Sequence, residues 1–382
     1  MRKKKVLFLT FWYPDENNPI KGVFILEHAR ALLQAGYDVR LVAFNIRYSK
    51  KILYVSNLSF TDEGGLPTHL LKIHSVFHKL IYVAVPLLSR IVFRYYLRYI
   101  SPYFQPDIIH SNVLYPAAIA GHYLARRIGK PHVITEHWSK VDKFFQKNLF
   151  SCSGSKAYRE AHAITAVSGW LKKNIEKRVS DPKRIFVVPN VVSPVFSYSQ
   201  PRTVDEIVFS VVAKWEPPKN IDLIIEALQL VASGTSRPIV LQIVGEGSLL
   251  GPVLEKRSRF LFAINHLGYQ SKTQIAGTFR QTDFFLHCSM METFSIVIAE
   301  ALCAGVPVVA SKVGAIPEII NPDNGILCNN TATDWAEAIR EALQTPYDRM
   351  QISRQAISLY SAEPVSQLFG DVYDSVLQGH QN

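Results

Sequence analysis

The sequence predicts an α/β chain folded as two doubly wound, Rossmann-like domains, and three observations carry that expectation. At 382 residues, 48% hydrophobic and 19% charged, the chain is globular in composition and longer than one ordinary hydrophobic core supports. Short runs of β-branched and aromatic residues alternate with longer stretches of helical periodicity, the pattern of β-α-β units closing a parallel sheet. That alternation stops in a proline- and serine-rich linker, Ser193 to Thr203, and then begins again. The expected divisions are 1–195 for the first domain, 196–361 for the second, and 362–382 for a last helix, a candidate to pack back on the first domain.

The first strand is VLFLT at 6–10. Its basic lead-in and apolar run are cut by Pro14, Asp15 and Glu16, and no small-residue cleavage site follows, so it reads as a strand rather than a targeting segment. Phe24, Leu26, Ala29, Leu32 and Leu33 then recur at helical spacing, and Gly36 supplies the stop. DVRLVAF at 38–44, DIIHS at 107–111, HVITEH at 132–137, AITAVS at 163–168 and RIFVVPN at 184–190 complete the first set of strands. Phe77 to Tyr99 reads as an amphipathic helix kinked at Pro86, with Arg90, Arg94 and Arg98 on one face and Leu88, Val92, Tyr95 and Tyr99 on another. Leu80 to Ser89, the longest apolar stretch, is about half of the roughly 20 residues that span a bilayer, so no membrane crossing is expected. The second set comprises IVFSVVA (207–213), IVLQIVG (239–245), a strand near Phe260 to Leu267, DFFLHCS (283–289), PVVAS (307–311) and GILC (325–328). In such sheets ligands bind at the carboxyl ends of the strands.

Charge is unevenly spread. Residues 1–200 carry 29 Lys and Arg against 12 Asp and Glu, whereas residues 201–382 carry 13 against 19. Ordinary solvated faces are one account; an anionic partner of the first half is the sharper one, a phospholipid surface or a lipid diphosphate. Zinc-finger spacing, an RNP-like aromatic signature and a basic recognition helix are all missing, which argues against nucleic acid. Four cysteines without a C-x-x-C pair, three of them inside apolar runs, point to a reducing, cytoplasmic setting, at the inner face of the membrane if the basic half docks there.

The most informative stretch is HCSMMETFSIVIAEALCAGVPVVASKVGAIPEII, residues 287–320. A strand ends near Ser289, a loop carries Glu292, and a helix is expected from Ser295 to Ala304, stopped by Gly305. Glu300 falls mid-helix among Ile296, Val297, Cys303 and Ala304, where a carboxylate needs hydrogen-bond donors. A ribose diol supplies two; pairing with a local basic residue is the structural alternative. Glu292 precedes the helix N-terminus, whose free amides favour anions such as a phosphate. No D-x-D triplet and no His/Cys/Asp cluster has metal-ligand spacing, so neither a metal nor another cofactor is expected. VGEGS at 244–248 follows a strand but lacks the third glycine of a dinucleotide fingerprint.

Glu292 and Glu300 with seven residues between them, followed by ALCAGVPVVAS, Gly314, Pro317-Glu318 and Asn324-Gly325, resemble the E-x7-E region of retaining GT-B glycosyltransferases of family 4. The resemblance extends to the AGYDV turn, to VVPN with Asn190, to VGEG and to Gly268. It implies the GT-B fold, two Rossmann-like domains facing a central cleft, and transfer of a sugar from a nucleotide diphosphate donor to a glycan or lipid-linked acceptor with retention, as in bacterial surface polysaccharide assembly. By resemblance Glu300 holds the ribose and Glu292 the sugar hydroxyls. Family members carry Arg and Lys in a G-R-x4-K-G context on the diphosphate; here AKWEPPKN puts Lys214 and Lys219 there, keeping charge but not the guanidinium fork. His137 takes the place of the His that contacts the donor sugar, and Gly22, preceded by Lys21, that of the family's glycine loop. The expected catalytic residues are therefore His137, Glu292 and Lys219, and the donor-binding set is Gly22, Lys214, Lys219, Glu292, Thr293, Phe294, Ser295 and Glu300.

Two other readings stay open, a GT-B sugar-nucleotide epimerase and a non-catalytic sugar-nucleotide binding protein, the latter because Lys214 stands where the family has arginine. A nicotinamide dehydrogenase is disfavoured, since neither first β-α turn carries the needed glycines.

Overall fold

Each β-branched run lies in a sheet flanked by helices, as the period-2 and period-3.6 patterns require. The structure is a computed structural model that describes residues 3–16, 18–139, 141, 144–145, 151–178, 184–200 and 205–381. Residues 201–203 of the expected linker lie outside the described residues. The chain divides into two units, Met1–Val191 with Ala362–Asn382, and Val192–Ser361.

The first unit has strands β1 (Lys5–Thr10), β2 (Asp38–Tyr48), β3 (Tyr54–Thr61), β4 (Pro67–Ser75), β5 (Ile108–Asn112), β6 (His132–Glu136), β7 (Ala163–Ala166) and β8 (Ile185–Val187). They form one sheet in the order β3-β4-β2-β1-β5-β6-β7-β8, parallel except for β3 against β4. Its helices are α1 (Val23–Gln34), α2 (His78–Val83), α3 (Val85–Tyr95), α4 (Ile119–Ile128), α5 (Ser151–Glu160) and α6 (Gly169–Glu176). Strand β1 shows why the layers form: Val6 and Phe8 point to one core with Ile25 and Leu32 of α1, while Leu7 and Leu9 point to the other with Leu88 and Val92 of α3.

Two features depart from the sequence reading. The β3–β4 hairpin was not expected; Asp62 Oδ1 accepts from the Gly64 and Leu66 amides at 2.9 and 2.8 Å and Gly65 takes φ 78, which closes the turn. The Phe77–Tyr99 helix is two helices, broken at Ala84 (φ −79, ψ 65). Pro86 opens the first turn of α3, where its missing N–H costs nothing, instead of kinking a continuous helix. Leu88, Val92 and Tyr95 are buried as expected, but Tyr99 is exposed, while Arg90, Arg94 and Arg98 form the solvent face.

The second unit has strands β9 (Ile207–Val212), β10 (Ile239–Val244), β11 (Ala263–Gly268), β12 (Phe284–His287), β13 (Val308–Ser311) and β14 (Gly325–Cys328). Their helices are α7 (Ile221–Ala232), α8 (Gly251–Glu255), α9 (Lys272–Arg280), α10 (Ile296–Cys303), α11 (Ala332–Gln344) and α12 (Arg349–Tyr360). The sheet is parallel, ordered β11-β10-β9-β12-β13-β14. Strand order reverses between β9 and β12, so the loops leaving their carboxyl ends lie side by side, the position where open α/β sheets bind ligands.

The chain then returns to the first unit as α13 (Ala362–Gln381). Phe369 and Tyr373 are fully buried against α1 and β1, and Tyr373 Oη lies 2.6 Å from His110 Nδ1 on β5.

Candidate functional site

Loop 213–220 after β9 brings both expected lysines to the sheet edge, and its neighbours fix its path. Trp215 is buried and donates from Nε1 to Val244 O at 2.9 Å, while Glu216 accepts from the Ser248 amide and hydroxyl at 3.0 and 2.6 Å. Gly245 (φ 104) and Gly247 are the glycines of VGEG. A Cβ on either would lie 1.8 Å from Ala213 O or 2.1 Å from Trp215 O. These glycines let the lysine loop pack closely, in keeping with the missing third glycine of a dinucleotide fingerprint.

Lys219 pairs in a short bridge with Ser289 of the loop after β12, and the Met290 amide donates to Pro218 O at 3.0 Å. This places Lys219 Nζ against Glu292 Oε1 in an ion pair, with His287 Nε2 3.2 Å from Nζ and 3.1 Å from the same carboxylate oxygen. Ser295 Oγ reaches the same ring nitrogen at 3.1 Å. Burial pushes His287 below the ordinary histidine range, helped by the Lys219 charge, so the ring is neutral near pH 7. Burial alone would raise Glu292, but the hydrogen bond from His287 and the Lys219 ammonium outweigh it and hold the carboxyl down at about 2.

The Glu292 backbone is seated by Gly314: at φ 54, a Cβ there would lie 2.1 Å from Glu292 O, and the Ala315 amide donates to that oxygen at 3.1 Å. Ser295 sits at φ 66, a left-handed backbone unusual for a side chain with a Cβ, and among the described residues no side chain caps the first amides of α10. Phe294 is buried edge-on against Tyr360 at 5.5 Å, so only its backbone is offered to a ligand. Thr293 is half-buried, and Glu300 is 6% exposed on the apolar helix. Lys214 is exposed and lies outside the Lys219–Glu292–His287–Ser295 cluster.

In the first unit Gly22 (φ 72) begins α1 with a Cβ position 2.2 Å from Trp12 O, so only glycine fits the loop. His137 follows β6, is 6% exposed, and packs on Phe24 and His28 at 4.7 and 5.5 Å between ring centroids. Burial, then the nearby His28 and His110, take it well below the ordinary range, so it is a neutral imidazole. His137 Nδ1 and Asn190 Oδ1 are buried without a full hydrogen bond among the described residues, yet the two side chains are near enough for Asn190 to favour the protonated ring slightly. Glu136, the last residue of β6, is turned inward. It is fully buried and accepts from the Leu114, His137 and Trp138 amides and from Tyr158 Oη, all at 2.8–2.9 Å, and so locks the loop that carries His137.

Sequence reasoning brought out every member of the cluster except His287, whose place in an ordinary strand run gives no signal of its contacts. Among the described residues no group of three or more His, Cys, Asp or Glu side chains is placed to hold a metal ion.

Comparison with known proteins adds to this geometry. The model described as Glycosyltransferase Family 4 matches residues 22–196, and that described as Glycosyl transferases group 1 matches residues 196–359. An uncharacterized glycosyltransferase of Methanocaldococcus jannaschii is 27% identical over 62% of the chain and 65% of its own length. A human phosphatidylinositol N-acetylglucosaminyltransferase polypeptide is 25% identical over 87% of the chain and 67% of its own length. The chain thus spans about two thirds of these two relatives. Among solved structures, Anabaena Alr3699/HepE in complex with UDP-glucose superposes with a TM-score of 0.71 at 18% identity, covering 97% of this chain and 99% of that one. Sucrose-phosphate synthase from Thermosynechococcus elongatus gives 0.72 at 15% identity, covering 99% and 100%.

Proposed function

The chain belongs to the family 4 glycosyltransferases of GT-B fold, and from that premise we propose that it moves a sugar from a uridine diphosphate donor, with retention, to a glycan or lipid-linked acceptor of a bacterial surface polysaccharide. The observation that carries the donor site is the convergence of Lys219, Glu292, His287 and Ser295 at the uncapped start of α10. The donor base is argued from the UDP and UDP-glucose complexes of a fold neighbour, and an N-acetylhexosamine is the first sugar to try because several relatives are named for its transfer.

In this reading the Lys219–Glu292 pair is exchanged for two pairs with the donor. Lys219 and the α10 amides take the diphosphate, Glu292 takes sugar hydroxyls, and Glu300, one helix turn further in, takes the ribose diol. As the bond from C1 to the phosphate oxygen breaks, charge gathers on that oxygen, where an ammonium and a helix N-terminus stabilise it without a metal. The acceptor oxygen bonds to C1 on the same face, and its proton passes to the departing phosphate oxygen. In the first unit His137 is neutral and held by Glu136 through the loop backbone, and Gly22 leaves its loop without a side chain; the resemblance to family 4 makes these two residues candidates for contact with the donor.

The test is nucleotide release from a panel of sugar nucleotides, with lipid-linked acceptors and with none. Acceptor-dependent release from one UDP-sugar is expected, lowered roughly 100-fold or more by Lys219→Ala and lost in Glu300→Ala. Acceptor-independent conversion of one UDP-sugar into another would replace the transferase with an epimerase. Binding of a donor that neither variant weakens would overturn the site.

A further inference from the structure

We infer that the first unit carries a docking face for an anionic phospholipid bilayer, made of the apolar ridge of α2 and α3 and a basic groove between α3, α4 and α5. More than half of the large hydrophobic side chains that stand exposed among the described residues lie between Tyr48 and Tyr103. From the residue before α2 to the start of α3 these are Phe77, Leu80, Tyr82, Val83 and Leu87, with Leu80 63% exposed. The other face of α3 is already taken by the core through Leu88, Val92 and Tyr95, so the ridge is not a core face left open by chance of packing. Aliphatic side chains gathered in one place in water mark a surface that something else covers.

Charge says what covers it. Leu87, Arg90 and Arg94 are spaced three and four apart, so the apolar ridge runs into a basic stripe on the same helix face. Arg90 also lines a groove of about 520 Å³ together with Ser89, Tyr123, Arg126, Arg127 and Lys156. Glu160 reaches Arg126 and Lys156 at 3.4 and 3.9 Å and offsets part of that charge, which leaves the groove cationic. From Gly64 to Pro106 the chain has no carboxylate, while it has Lys72, Lys79, Arg90, Arg94 and Arg98. On β3, Val55 stands exposed on the same sheet face from which Asn57 hydrogen-bonds Tyr95 of α3. Aliphatic side chains beside arginines are what an interfacial segment presents to a bilayer, the former entering the acyl boundary while the latter meet phosphates. The groove is sized and charged for a lipid phosphate headgroup. No helix among the described residues is long and apolar enough to cross the membrane, so this contact would be peripheral.

Vesicle flotation tests the face without donor or acceptor, so its outcome is independent of the transferase reading. The full chain is mixed with phosphatidylcholine vesicles, with or without phosphatidylglycerol. Flotation with the anionic vesicles, weakened by salt, is expected, and Arg90→Glu/Arg126→Glu should lower partition by on the order of tenfold or more. Leu80→Ser/Leu87→Ser should lower it comparably while the far-ultraviolet spectrum and melting temperature of both variants stay those of the parent. Failure to float, equal flotation on neutral vesicles, or variants that float like the parent would each overturn the proposal. So would saturable binding of inorganic phosphate or glycerol phosphate without flotation, which would make the groove a site for a soluble anion. Concentration-dependent dimers abolished by Leu80→Ser/Leu87→Ser, again without flotation, would assign the ridge to a second copy of the chain.

Discussion

Gly314 decides where the Glu292 backbone stands, and Lys219 and His287 then hold its carboxylate. Because Gly314 packs its Cα hydrogens against the Glu292 carbonyl, Gly314→Ala should shift that peptide. It should cost more than about 1 kcal/mol of stability and weaken UDP-sugar affinity by on the order of tenfold in a calorimetric titration, a change of about 1.4 kcal/mol; an unaltered affinity would mean Glu292 does not touch the donor. Ser295 gives a paired expectation. Both Ser295→Ala and Ser295→Gly lose the contact to His287, but only alanine keeps a Cβ at φ 66, so the glycine variant should be the more stable by about 1 kcal/mol in chemical denaturation. At this scale the sequence was legible where residue type and spacing carry chemistry, as in Lys219, Glu292 and Glu300. It was silent on His287 and on Glu136 as an anchor, because a polar side chain inside a strand run looks the same whether it meets a carboxylate or a backbone amide.

Among the elements, interior parallel strands such as β1, β5, β6 and β9 were readable because both faces are buried, which leaves continuous apolar runs bounded by turns, whereas the alternating β4, parallel to β2, was not readable. Strand β3 was not, since it is the exposed edge of the sheet and has neither such a run nor a buried alternation; the D-E-G-G turn between β3 and β4 was the one clue to it. Helix α13 was readable as a helix but not as part of a particular core, for its partners lie more than two hundred residues earlier. Its anchor is testable. Tyr373→Phe removes the hydroxyl 2.6 Å from the buried His110 Nδ1 and should destabilise the first unit by about 1–3 kcal/mol. Donor affinity, read in parallel, should not change, because the proposed diphosphate and ribose contacts, Lys219, Glu292 and Glu300, lie in the second unit.

For the molecule as a whole, the buried histidines set a pH dependence. His28, His110, His132 and His137, all in the first unit, are pushed down by burial, His28 to about 4. Their folded values lie below the unfolded value of 6.5, so on acidification the unfolded chain takes up protons first. The stability they permit is full above pH 6.5 and is lost as pH falls towards 4, by up to about 1.4 kcal/mol per pH unit for each ring. Glu136, raised by burial, works in the opposite direction for one proton, and the Glu292 pair adds a further loss only below about pH 4.5, through its folded value of about 2. Melting temperature should therefore fall between pH 6.5 and 5; a flat profile would show that the rings protonate in place. The two-sheet architecture was legible from the repeat of the β-α pattern. That the last helix closes the first sheet's core was only a candidate, since amphipathicity tells a helix that it must be covered but not by what.

That closure has a consequence for biogenesis. The second unit is an insertion within the first: its ends meet where the Val192 amide donates to Tyr360 O at 2.8 Å, and α13 follows it in the chain. On the ribosome the amino-terminal sheet emerges early but stays without Phe369 and Tyr373 until the carboxyl-terminal segment has been synthesised. The unit made first is thus the one finished last, and nascent chains stalled before residue 362 should hold a protease-resistant second unit beside a protease-sensitive first one.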